Sequence, residues 1–113
     1  MEKKSSPRLD LLKKYLADAP GDPFLLFAVA KEYEKLEEKD SALSYYLRLK
    51  QEDPTYVGTY YHLGKLYESK GEIENAFFTY KAGMVVAKNA GDQKSLEEIA
   101  GAKLALGDDD DFE

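Results

Sequence analysis

The chain has 113 residues, 43% of them hydrophobic, no cysteine and a net charge of −6, enough length for one domain to bury a core without metals or crosslinks. The missing cysteine excludes a disulfide framework and thiolate metal sites. The last six residues, DDDDFE, carry −5 of the charge and leave the rest near −1, so no basic surface is available for nucleic acid or anionic lipid.

The opening stretch, MEKKSSPR, is charged and leads into an amphipathic segment with no apolar core or cleavage site behind it, unlike a secretory signal. Lys3, Lys4, Arg8, Lys13 and Lys14 crowd this region, but Glu2 and Asp10 interrupt them, which reads as a solvated terminus. The longest apolar run, FLLFAVA, is far too short to span a membrane. A soluble, cytoplasmic protein is expected.

A helix is predicted over 8–18, where RLDLLKKYLA carries the apolar spacing. Two longer units follow at 23–56 and 57–90, and a shift of 34 residues lays one on the other without a gap. Lys31 then meets Lys65, Tyr33 meets Tyr67, Glu34 meets Glu68, Glu38 meets Glu72, Ala42 meets Ala76 and Tyr46 meets Tyr80. Leu26, Val29, Ala30 and Tyr33 fall on one helical face, as do Tyr60, Leu63, Gly64 and Tyr67 one unit later. Each unit therefore reads as two helices, the first pair divided around EEKD and the second at Gly71. Gly64 in mid-helix costs about 1 kcal/mol relative to Ala, so a close approach of two helices, with Ala76 on the facing one, is predicted there.

The second helix of the second unit lacks a proline at Lys88 and is expected to continue toward Asn89, after which NAGD stops one helix and starts another. A last helix is predicted over 92–106, with Leu96, Ile99 and Ala100 on one face. The DDDDFE end, 108–113, lacks the spaced oxygen ligands and turn glycine of a calcium loop. It reads as a disordered, solubilising tail outside a single domain over 1–107. A sharper alternative puts Phe112 and its carboxylates on Lys31 and Lys65 of a second copy.

The doubled unit resembles the tetratricopeptide repeat, a 34-residue helix pair with the signature W-x2-L-G-x2-Y, A-x3-F and P. The second unit matches through Tyr60 in place of Trp, Leu63, Gly64, Tyr67, Ala76 and Tyr80; the first matches through Leu26, Val29, Ala30, Tyr33, Ala42, Tyr46 and Pro54. On the same grid, Leu12 takes the place of Tyr46 and Pro20 that of Pro54, so 8–18 looks like half of a degenerate leading repeat and 92–106 like a capping helix. The resemblance implies an all-α fold: antiparallel helix-turn-helix pairs stacked as a short right-handed solenoid of about six helices, or about three repeats, the minimum for a stable stack.

No catalytic constellation is present. His62 is the sole histidine and has no partner at metal-ligand or nucleophile spacing. The glycines form no phosphate loop. The chain reads as a non-enzyme with no cofactor and no metal.

In this family the positions beside the core stripe of each first helix line a concave groove that receives a partner's peptide or helix. Here they are Phe24, Phe27, Lys31 and Glu34, then Gly58, Tyr61, Lys65 and Glu68, with His62 at the edge. A carboxylate clamp for chaperone tails would want Lys and Asn at Phe27 and Lys31, and Asn at His62, so that specificity is not expected. The resemblance implies an adaptor or scaffold that binds another protein. The alternative is a self-associating assembly unit, for instance a homodimer, that buries the groove or an array end against a second copy.

Overall fold

The computed structural model describes residues 4–112. Lys3 at the basic start and Glu113 at the acidic end lie outside them. The described residues form seven helices and no strand: α1 (Pro7–Asp18), α2 (Pro23–Lys35), α3 (Lys39–Glu52), α4 (Gly58–Ser69), α5 (Ile73–Asn89), α6 (Gln93–Leu106) and α7 (Asp109–Phe112). By their packing the residues divide into two compact units, Met1–Pro54 and Thr55–Glu113. The helices pack within each half: α1 on α2 and α2 on α3 in the first, and α4, α5 and α6 on one another in the second.

Local chemistry sets the helix ends. Ser6 and Asp22 each accept a hydrogen bond from the backbone N–H three residues on, ahead of Pro7 and Pro23. Asp92 caps α6 in the same way through Ser95. Those side chains satisfy donors that the first helical turn leaves open, while proline there gives up no useful N–H.

The other ends repeat one device. After α2, Glu38 N–H bonds to Tyr33 C=O and Glu37 N–H to Glu34 C=O; Glu72 and Gly71 do the same after α4, and Asp92 and Gly91 after α5. This double bond pattern needs a left-handed residue in the turn. Gly71 supplies it with φ of 77°, whereas its counterpart in the first unit is Glu37 with φ of 59°. The repeat is kept where its usual residue is not.

Each unit's core forms where its helices meet. Leu9, Leu12 and Leu16 of α1 are buried in the first unit with Leu26, Val29, Ala30 and Tyr33 of α2 and Ala42, Tyr46 and Leu49 of α3. In the second, Tyr60, Ala76, Tyr80, Ile99 and Ala102 form one buried cluster. Gly64 answers to this packing: a Cβ there would lie 2.1 Å from Cε1 of Tyr80 and 2.6 Å from Cδ1 and Cζ. The close approach is therefore made to the Tyr80 ring rather than to Ala76. Gly83 is a second such seat, where a Cβ would meet Tyr60 Cβ at 2.5 Å.

The acidic end departs from expectation. Residues 109–112 form a short helix in place of a disordered tail, and Phe112 stacks on Phe77 of its own chain, with centroids 4.1 Å apart and planes 14° from parallel. Asp109 lies 3.1 Å from Lys103 and 3.9 Å from Lys81. Gly107, with φ of 144°, makes the reversal into α7. An aromatic anchor and two lysines thus offset the mutual repulsion of four aspartates.

Alanine at Gly64 and at Gly101 should act in opposite directions. At Gly101 a Cβ meets nothing within 4 Å, so Gly101→Ala should stabilise by about 0.4–1 kcal/mol. Gly64→Ala forces the Tyr80 ring out of its seat and should cost about 1–3 kcal/mol. Thermal melts of the two variants check this; equal melting temperatures would contradict it.

Candidate interaction site

Each first helix carries the same pair of side chains one turn apart. Lys31 Nζ sits 5.7 Å from the Phe27 ring centroid, and Lys65 Nζ sits 5.6 Å from that of Tyr61. Both lysines are exposed and both rings half-buried, so each ring offers an apolar surface and holds a cation beside it. Phe27 is also tied inward, edge-on to Tyr46 at 6.1 Å. Phe24, by contrast, is 68% exposed.

In the first unit these groups line a recess of about 420 Å³ with Arg8, Ala28, Glu32 and Lys35. Arg8, Lys31 and Lys35 surround the aromatic floor. The one carboxylate, buried Glu32, accepts from Ser6 at 3.2 Å and lies 3.4 Å from Arg8 and 3.8 Å from Lys35. In the second unit, Tyr61 and His62 line a smaller recess of about 120 Å³ with Val57, Gly58, Ser95, Glu98 and Ile99. His62 meets the Tyr61 ring edge-on at 5.9 Å.

Glu34 and Glu68 each hold a tyrosine of the next helix. Glu34 accepts the hydroxyl of Tyr46, and Glu68 accepts that of Tyr80, 12 residues on in both cases. Glu68 also lies 3.7 Å from Lys65. A buried phenol needs an acceptor, and each carboxylate serves the helix pair before any ligand. Burial first, then the hydrogen bond to Glu34, raises the Tyr46 pKa far above the usual phenol range; burial and then Glu68 do the same to Tyr80.

Arg8 escaped sequence reading because it reaches the recess only once α1 lies against α2, and Glu32 and Lys35 because they lie outside the stripe of Phe24, Phe27 and Lys31. The register of Lys35, four residues after Lys31, was the one available signal for any of them.

A family model for the tetratricopeptide repeat matches residues 57–84. The crystal structure of a tetratricopeptide repeat domain protein from Salinibacter ruber is 46% identical over 75% of this chain and 94% of that one, with a TM-score of 0.73. This chain belongs to the tetratricopeptide repeat family. Two more distant likenesses agree. A TPR repeat-containing protein of Pseudomonas aeruginosa is 26% identical over 88 residues, 78% of this chain and 84% of the relative. A Bordetella parapertussis protein solved in solution is 26% identical over 90% of this chain and 89% of its own, with a TM-score of 0.77. Tetratricopeptide repeats are platforms for protein association. In this one, the matched stretch 57–84 contains the Tyr61–Lys65 pair, the Gly64 seat and Tyr80.

The raised phenol pKa values give a pH test. Tyr46 and Tyr80 contribute stability that is fully present below the unfolded phenol pKa near 10 and is lost as pH rises through the folded values. Absorbance titration of phenolate, followed together with circular dichroism, should show some tyrosines ionising only as helicity is lost. Tyr46→Phe with Tyr80→Phe should remove that late fraction. Ionisation of every tyrosine near pH 10 with helicity intact would be the contrary result.

Proposed function

We propose that this protein is a non-catalytic interaction module, an adaptor that holds a peptide or helix of another protein against its first-helix faces. The observation that carries the reading is the repeated aromatic–lysine pair, Phe27 with Lys31 and Tyr61 with Lys65, in the two units. Such pairs suit a segment that places a carboxylate beside an apolar side chain. The ring takes the apolar group with little loss of side-chain freedom, and the ammonium steers the acid. The recess of the first unit favours the same chemistry, since Arg8, Lys31 and Lys35 border Phe24 and Phe27. Glu34 and Glu68 act through the tyrosines they hold, which fix the helix bearing each pair.

No helix among the described residues is long and apolar enough to cross a membrane.

Phe24 is the cleanest probe, because its exposed ring can be removed without opening the core. Affinity capture from the native cell with the full chain as bait supplies the partner, and titration calorimetry then measures its binding. Phe24→Ala should weaken binding by about 1–2 kcal/mol. Lys31→Glu with Lys65→Glu should weaken it in a salt-dependent way, with circular dichroism unchanged in both. Normal binding by these variants, together with loss on altering α3 or α5, would place recognition elsewhere.

A further inference from the structure

The second unit contains another recess that the first-helix faces do not include. It lies along α5 and α6, measures about 280 Å³, and is lined by Met84, Val85 and Leu96 with Lys81, Lys88 and Lys103 around them and Asp109 at its rim. Val85 is 58% exposed, so the apolar floor stands open to solvent. Lysines around an apolar floor call for a ligand that is acidic and carries a hydrophobic side chain. The chain's own end, DDDDF, has that chemistry and already lies beside the recess.

The seating of that end is specific. Phe112 stacks on Phe77, Lys103 Nζ lies 4.7 Å from the centre of the Phe77 ring, and Asp109 faces both Lys103 and Lys81. It is also built to release. A four-residue helix has no stability of its own, and Asp109, which makes both ion pairs, is half-exposed, so that solvent and salt screen them.

We propose that the α5–α6 recess is a second peptide site, for an acidic segment bearing an aromatic side chain from a partner protein. Asp108–Phe112 is a tethered competitor for its lysines: Asp109 holds Lys81 and Lys103, which a partner's carboxylates would take over, while Phe112 rests on Phe77 beside the recess. A short tether supplies the competing segment at an effective concentration in the millimolar range, so only a tighter or multivalent ligand displaces it. The latch sets a threshold.

The test uses the full chain and a dye-labelled synthetic peptide with the sequence of residues 107–113, followed by fluorescence anisotropy. Asp109→Asn with Phe112→Ala opens the latch while leaving α4, α5 and α6 untouched. The opened protein should bind the peptide at least about tenfold more tightly than wild type, as release from a tethered competitor requires. Lys81→Glu or Lys88→Glu in the opened background should abolish that binding; Lys88 is exposed and lies on the recess outside the latch ion pairs, so its reversal reports on the recess without disturbing packing. Equal affinity for wild-type and opened protein, or no binding to the opened protein, would overturn the proposal. Loss of peptide binding on Lys31→Glu, with Lys88→Glu silent, would assign the peptide to the α1–α2 recess and overturn it as well. Because the first-helix aromatics are intact throughout, failure here leaves the reading of those faces standing.

Discussion

A buried phenol that reaches back to the preceding helix governs the geometry of both units. Tyr46 and Tyr80 are fully buried, and each donates to a glutamate of the first helix of its pair, Glu34 or Glu68. In the second unit the Tyr80 ring leaves no room for a Cβ at Gly64; the first unit makes the same bond with a buried Ala30 at the equivalent place. The small residue and the tyrosine–glutamate bond are thus two aspects of one constraint. It fixes the helix that carries the aromatic–lysine pair, since Lys31 and Lys65 lie three residues before the glutamates.

Several features were legible before any coordinates because they depend on local spacing. The 34-residue repeat, the amphipathic stripes and the turn at Gly71 follow from side-chain periodicity and glycine's access to left-handed backbone. Glu34 and Glu68 show where such reading stops. On a helical wheel they lie beside Lys31 and Lys65, yet the partners that claim them come from the next helix. Arg8 is the reverse case, since an isolated cation near the chain start gains meaning only when α1 packs on α2. Gly83 looked like one glycine among eight, and only the approach of Tyr60 and Ile99 from the neighbouring helices makes it a seat. At the acidic end Phe112 was marked as an anchor, but only the fold brings Phe77 of α5 beneath it; one stacked ring and two lysines suffice to organise four aspartates.

A division of labour between scaffold and surface emerges. Ala30 and Gly64 occupy the inner stripe of each first helix, whereas Phe24, Phe27, Lys31, Tyr61 and Lys65 occupy the stripe beside it, together with the glutamates that hold the tyrosines. Substitutions of those aromatics and lysines can change what is bound while the inner stripe and the glutamates keep the helices in place. The architecture is shared with the Salinibacter ruber protein at 46% identity.

The most direct measurement is a double-mutant cycle on the tyrosine–glutamate bond of the second unit. Chemical denaturation of wild type, Tyr80→Phe, Glu68→Ala and the double variant separates the bond from the Glu68–Lys65 ion pair, which both variants that include Glu68→Ala lose equally. A coupling energy of about 1–2 kcal/mol is predicted, as for a buried hydrogen bond to a charged acceptor. Additivity within about 0.3 kcal/mol would show that the two groups contribute independently and that the seated phenol does not set the helix pairing.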